Sequence, residues 1–249
     1  MKKCLPLAAF FMLLSFVPAR QVKLRLFLAG DSTMSIKAPT AFPETGWGMP
    51  FTSFWNEHLQ VVNLAKNGRS TKTFRSEGLW QSILSAIQPG DYVFIQFGHN
   101  DEVKEKVGSY TTPEEFTSNL KQYIAETRQK NAKPVLLTPV ARRKFDTAGK
   151  PVETHEAYAE LVRQVAATEK VTLIDHDRLS MAVYGKMGEE TSRLLFLQLK
   201  PDEHPNYPAG KEDNTHFNEL GARLMAQLVL QEIKLKIPEL MQYVVRKEK

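Results

Sequence analysis

A chain of 249 residues, 42% hydrophobic and 24% charged, has room for one large domain with a substantial core. That composition excludes disordered, fibrous and repeat architectures. The 33 basic and 28 acidic residues give a formal net charge of +5, a mild balance that does not demand nucleic acid and leaves an acidic polymer open as a substrate.

The first element in chain order is a leader. Met1-Lys2-Lys3 is a basic start, Leu5 to Val17 is an almost unbroken apolar run, and Val17-Pro18-Ala19 offers a cleavage site. The run is too short to span a bilayer, so residues 1–19 are predicted to be a cleaved secretory signal and residues 20–249 the mature domain. Secretion or periplasmic export follows, with no membrane insertion after cleavage, since no second apolar stretch of membrane length is present. Cys4 is the only cysteine and lies ahead of the apolar run. The mature chain is therefore expected to carry no thiol, disulfide or cysteine metal site.

Five short apolar or branched runs follow, at residues 24–28, 61–64, 92–97, 134–138 and 171–174, alternating with longer helical stretches. Thr112-Pro113-Glu114-Glu115 opens one helix, with proline in the first turn and acids at the positive end. Phe116, Leu120, Tyr123, Ile124 and Thr127 continue it at helical spacing. Residues 153–169 and 219–235 read as further amphipathic helices. Strand–helix alternation implies an α/β fold with a parallel sheet covered on both faces. Right-handed crossovers then gather the strand C-terminal ends on one edge, where ligands bind in sheets of this class. No linker interrupts the pattern, so a single domain is predicted. Residues 200–214, long, polar and proline-containing, read as a functional loop.

Three predicted strands run into polar turns: Gly30-Asp31-Ser32-Thr33, then Ala65-Lys66-Asn67-Gly68-Arg69-Ser70, then Gly98-His99-Asn100-Asp101. A fourth polar cluster, Asp213-Asn214-Thr215-His216, precedes the last helix. Acyl transfer accounts for this set. A serine hydroxyl needs an adjacent base to take its proton, and the tetrahedral intermediate needs donors for its oxyanion. Ser32 is the predicted nucleophile, His216 its base, and Asp213 the group that fixes the imidazole. The N–H groups of Ser32 and Gly68 and the amide of Asn100 are the predicted oxyanion donors, with glycine at 68 allowing close backbone approach. Singly, each motif has a plainer reading. Gly-Asp-Ser and Asn100 suit turns, and Asp213 or Thr215 suits a helix cap. Four blocks in this order at strand and helix ends argue against coincidence.

These blocks resemble the four motifs of the SGNH (GDSL-type) hydrolases, whose serine, glycine, asparagine and histidine fall on Ser32, Gly68, Asn100 and His216. Asn67-Gly68-Arg69-Ser70-Thr71, Gln96-Phe97-Gly98-His99-Asn100-Asp101, Thr138-Pro139-Val140-Ala141-Arg142-Arg143 and Asp213-Asn214-Thr215-His216-Phe217 narrow the likeness to bacterial rhamnogalacturonan acetylesterases. The resemblance covers nearly all of the mature chain. It implies a flavodoxin-like three-layer sandwich with a five-stranded parallel sheet, no metal or organic cofactor, and an acetylated, acidic polysaccharide as substrate.

Other candidates are weaker. His99 is read as structural or at the edge of the site. His58, His155, His176 and His204 lack partners at metal spacing. Asp31 is read as a turn residue. Trp47, Phe51, Phe54 and Trp55 read as core, with Trp47, between two glycines, the one to test for sugar contact. Lys66, Arg69, Lys72 and Arg75 cluster after the second strand, and Arg142-Arg143 follow the fourth. They are solvated surface or, at Arg69 and Arg142, carboxylate-binding groups. Competing functions are a xylan or sialic-acid O-acetylesterase, a lysophospholipase, and a non-catalytic carbohydrate-binding protein.

Overall fold

Each predicted strand run forms, and all five join one sheet. In the computed structural model, which describes residues 23–246, they are β1 (Leu24–Gly30), β2 (Leu59–Asn63), β3 (Tyr92–Gln96), β4 (Lys133–Leu137) and β5 (Thr172–Ile174). The predicted signal segment lies outside the described residues. All pairings are parallel, in the order β2-β1-β3-β4-β5. This is the flavodoxin-like α/β sandwich read from the sequence.

Side-chain alternation sorts the two faces. Leu26 and Leu28 of β1 join Phe94, Val135 and Leu137 in one core, with Phe51 from the short helix α1 (Gly48–Phe51) and Trp47 just before it. Phe27 and Ala29 point the other way, with Val93, Ile95 and Leu136. That second core is closed by α2 (Thr71–Ser76), α3 (Leu79–Ala86), α4 (Pro113–Gln129) and α5 (Glu156–Thr168). The first is closed by α6 (His176–Ser192) and α7 (Glu219–Lys236). β3 is buried at every residue, as a central strand covered on both faces must be. The start of α4 follows its sequence signature. Thr112 Oγ1 accepts from the Glu115 N–H at 3.2 Å, and the Glu115 carboxylate accepts from the Thr112 N–H at 2.9 Å.

One element differs from expectation. β6 (Phe196–Leu199) and β7 (Lys211–Phe217) form a separate antiparallel ribbon. The cluster Asp213 to His216, expected only to precede the final helix, with residues 213 and 214 in the predicted loop, is therefore strand. Lys211-Glu212-Asp213-Asn214-Thr215-His216 carries no apolar alternation because only Phe217 of β7 is buried. The predicted loop shortens to residues 200–210. Asn218 caps α7, its Oδ1 accepting from the Gly221 N–H at 3.0 Å. A Cβ at Gly221 would stand 1.9 Å from the Leu195 carbonyl oxygen, so glycine fixes how closely α7 approaches the turn before β6. Among the described residues no helix is long and apolar enough to cross a membrane.

Candidate active site

β1 delivers Ser32 to the C-terminal edge of the sheet through a tight turn. The Asp31 Oδ1 accepts from the Thr33 N–H at 2.9 Å and the Thr33 hydroxyl at 2.8 Å. Gly30 lets this turn press on β3, since a Cβ there would lie 2.9 Å from the Gln96 carbonyl oxygen. Asp31 is fully buried, and burial raises its pKa against the Thr33 hydrogen bonds that lower it. Its geometry is that of the turn-stabilising residue anticipated.

β7 supplies the other half. Asp213 Oδ1 accepts from the backbone N–H groups of Thr215 at 2.7 Å and His216 at 2.9 Å. Asp213 Oδ2 lies 2.8 Å from His216 Nδ1, and His216 Nε2 lies 2.9 Å from Ser32 Oγ. A carboxylate only accepts, so the imidazole proton belongs on Nδ1 and Nε2 is free to accept from the serine hydroxyl. Burial disfavours the Asp213 charge. The hydrogen bonds from the His216 ring and from the His216 and Thr215 N–H groups outweigh it, holding the carboxyl well below the usual carboxylate range.

The end of β2 provides the third component. The Lys66 N–H donates to the Gly30 carbonyl at 3.0 Å, fastening the Asn67-Gly68 turn beside the nucleophile. Gly68 has φ +77°, and a Cβ there would meet nothing within 4 Å. Glycine suits the left-handed backbone of this turn. Asn100 follows β3. Its Nδ2 donates to the Arg69 carbonyl at 3.0 Å, leaving one amide N–H over. Among the described residues, the backbone N–H groups of Ser32 and Gly68 donate to no other group. Ser32, Gly68, Asn100 and His216 together line a cleft of about 270 Å³, with Glu44, Asn67, His99, Lys106, Arg142 and Thr215. A carbonyl placed there would meet a hydroxyl, an imidazole within hydrogen-bond reach of it, and unspent donors, the parts that acyl transfer requires.

The remaining candidates divide. Arg142 is in the cleft wall, where its Nη1 donates to Thr215 Oγ1 at 2.9 Å and its Nη2 lies 3.2 Å from Glu102 Oε1. Arg143 braces β7 instead, its backbone N–H donating to the Asn214 carbonyl at 2.8 Å and its Nη1 to Asn214 Oδ1 at 3.1 Å. Arg69 does not line the cleft. Its guanidinium is taken up by Glu77 at 2.7 Å and the Asn67 carbonyl, which corrects its assignment as a substrate-binding group. Arg75 is likewise paired, with Glu126 at 2.8 Å. For Trp47 the core reading holds and its candidacy for sugar contact is corrected. It is 0% exposed, its indole N–H donates to Gln96 Oε1 at 3.1 Å, and no sugar can reach it. Gly46 and Gly48, which would place Cβ atoms 2.0 Å from the Ser35 and 2.4 Å from the Met34 carbonyl oxygens, seat that segment against the nucleophile turn and drive the indole inward.

His99 lies at the edge of the cleft, buried, its ring edge-on to His155 at 4.2 Å. Burial holds its pKa well below the usual histidine range, so it is neutral. The His155 Nδ1 lies 2.9 Å from both oxygens of Glu102, and the His176 Nδ1 is 3.2 Å from Gln96 Oε1. Lys37, Glu44 and Lys106 escaped the sequence reading. They sit in irregular segments without periodicity or motif, and only packing brings Glu44 and Lys106 to the cleft and Lys37 against Glu44.

The family model described as GDSL-like Lipase/Acylhydrolase matches residues 28–224. The chain is 41% identical over 211 residues to the rhamnogalacturonan acetylesterase RhgT of Bacillus subtilis (strain 168), spanning 85% of this chain and 90% of that protein. It is also 41% identical over 210 residues to the probable rhamnogalacturonan acetylesterase YesY of the same organism, spanning 84% and 92%. The crystal structure of Bacillus subtilis YxiM superimposes with a TM-score of 0.74 at 29% identity, over 86% of this chain and 56% of that one.

Proposed function

This chain belongs to the GDSL-like lipase/acylhydrolase family and is a carboxylic ester hydrolase, and we propose that it deacetylates a pectic polysaccharide such as rhamnogalacturonan. The catalysts in this reading are Ser32, His216 and Asp213, acting after export to a periplasm or the cell exterior. The observation that carries it is the chain of contacts from Asp213 through His216 to Ser32 Oγ, at 2.8 and 2.9 Å, in a cleft that also holds Gly68 and Asn100.

The reaction runs in two halves. As Ser32 Oγ attacks the acetyl carbonyl, its proton passes to His216 Nε2, and the imidazolium is stabilised by the ionised Asp213. The oxyanion takes hydrogen bonds from the Ser32 and Gly68 N–H groups and the Asn100 amide. Collapse breaks the bond to the sugar oxygen, which takes the proton back from His216 and leaves as a hydroxyl. Water then gives a proton to His216 and attacks the acetyl-serine. The second tetrahedral intermediate releases acetate and restores the Ser32 hydroxyl.

Two observations favour an acidic carbohydrate over a lipid. The first is the pair of 41% identical relatives bearing the name rhamnogalacturonan acetylesterase. The second is the polar lining of the cleft, with Arg142 and Lys106 among its walls, whereas an acyl chain requires apolar ones. Across acetylated pectin, xylan and sialoglycan fragments, acetate release is expected to be fastest from pectin. Arg142→Gln is expected to raise KM for acidic oligosaccharides by about 10-fold, roughly 1.4 kcal/mol. A preference for neutral xylan fragments, or an unchanged KM in that variant, contradicts the acidic substrate.

A further inference from the structure

A lysine side chain shut away from water is rare, because desolvating an ammonium costs several kcal/mol unless partners restore it. Lys37, five residues past the nucleophile, is 4% exposed. Its Nζ lies 2.7 Å from Glu44 Oε1 and donates to Asn67 Oδ1 at 2.7 Å. Burial lowers its pKa, and the hydrogen bond to Glu44 and the Glu44 charge oppose that shift. The Ser35 hydroxyl also meets Asn67 Oδ1, at 2.6 Å, and stands 3.2 Å from the Ser32 carbonyl oxygen. One amide oxygen is thus held from the nucleophile turn and by a buried cation.

The place of Asn67 gives this arrangement its meaning. The N–H of Gly68 belongs to the peptide group that begins at Asn67, so any rotation of Asn67 re-aims that N–H. Gly68, with open space around its α-carbon and φ +77°, offers no steric resistance to such a rotation. Contacts hold the turn instead: the Lys66 N–H on the Gly30 carbonyl, the Arg69 guanidinium on the Asn67 carbonyl oxygen, and the groups gathered on the Asn67 side chain. An apolar side chain of similar length would fill the volume without a desolvation penalty, but it would bind neither Asn67 nor Glu44.

We infer that Lys37 is a positioning residue for acyl transfer, its ammonium holding Asn67 so that the Gly68 N–H faces the oxygen of the carbonyl attacked by Ser32. This role rests on the acyl-enzyme reading given above. Lys37 touches no reacting atom and acts through Asn67, so its loss is felt in the transition state more than in substrate binding.

The test uses the full chain, p-nitrophenyl acetate as substrate and methylboronic acid as a probe whose anionic adduct on Ser32 imitates the tetrahedral intermediate. Lys37→Met is expected to lower kcat about 10- to 100-fold, somewhat less than deletion of an oxyanion donor, with KM within about twofold. Boronate affinity falls by the same factor. Asn67→Ala, which spares the Lys37–Glu44 pair, is expected to behave alike, and the double variant to be no worse than either single one. Should Lys37→Met fail to fold, kcat and boronate affinity of Asn67→Ala decide the matter alone. An unchanged kcat in whichever variant folds, a loss confined to KM, or strictly additive losses overturns the inference. Ser32→Ala separates the two levels. If it is inactive while Lys37→Met runs at full rate, only the role of Lys37 falls. If it still turns over, the acyl-enzyme reading falls and the inference with it.

Discussion

Ser32→Ala is expected to lower acetyl-ester turnover by about 10⁴-fold or more, with the fold and substrate affinity kept. In the proposed mechanism the hydroxyl is the atom that forms the covalent bond, and removing it leaves only water to attack. The nearest carboxylate in sequence, Asp31, is fully buried and spends one oxygen on Thr33, so it is no substitute. Residual hydrolysis would come from the oxyanion donors and binding alone. His216→Ala is expected to fall to a similar floor, and the double variant no lower, because nucleophile and base act as one unit. Rates of acetate release and circular dichroism of each variant measure these outcomes. Near-normal turnover by Ser32→Ala would end the mechanism.

Asp213→Asn is expected to cost about 10²- to 10⁴-fold in kcat with little change in KM. The amide can still accept from the Thr215 and His216 backbone N–H groups through one oxygen, so these backbone contacts of β7 survive. Its NH₂ would then face His216 Nδ1, favouring the tautomer with the proton on Nε2, where the ring cannot accept from Ser32 Oγ. The charge that stabilises the imidazolium is lost as well. The pH dependence has a definite sign. Because the Asp213 carboxyl is held below its ordinary range, it stays ionised wherever the enzyme is folded and active, and does not set the acid limb of activity. A depressed carboxyl pKa contributes stability that is present above the unfolded value, about 4, and is lost as pH falls through the folded one. The stability gap between wild type and Asp213→Asn should therefore narrow only below about pH 4, in denaturation curves taken across that range.

The sheet was legible in the sequence because buried parallel strands are near-continuous apolar runs, and β3 is buried at every position. The serine, glycine and asparagine turns were legible because each follows such a run. β7 was not. Its polar residues, exposed at Lys211 and Glu212 and half-buried from Asp213 to His216, carry no apolar alternation, and the strand exists through pairing with β6 and bracing by Arg143. His216 was found through its spacing from Asp213 rather than through its element. Charge clusters misled at Arg69 because sequence cannot show that Glu77, eight residues on, takes the guanidinium. Trp47 was legible as core, and the flanking glycines that singled it out for sugar contact instead permit the close packing that buries the ring. Lys37 was invisible for the opposite reason: a lone lysine outside any motif reads as solvated, and only the fold closes over it.

The most direct measurement is treatment with diethyl p-nitrophenyl phosphate, followed by mapping of the modified peptide. A hydroxyl activated as described takes the phosphoryl group, releases one equivalent of p-nitrophenol and is blocked. Loss of esterase activity in step with a phosphoryl group on Ser32, absent from Ser32→Ala, is the predicted result. Full activity with Ser32 unmodified after prolonged exposure, or inactivation traced to another residue, would contradict it.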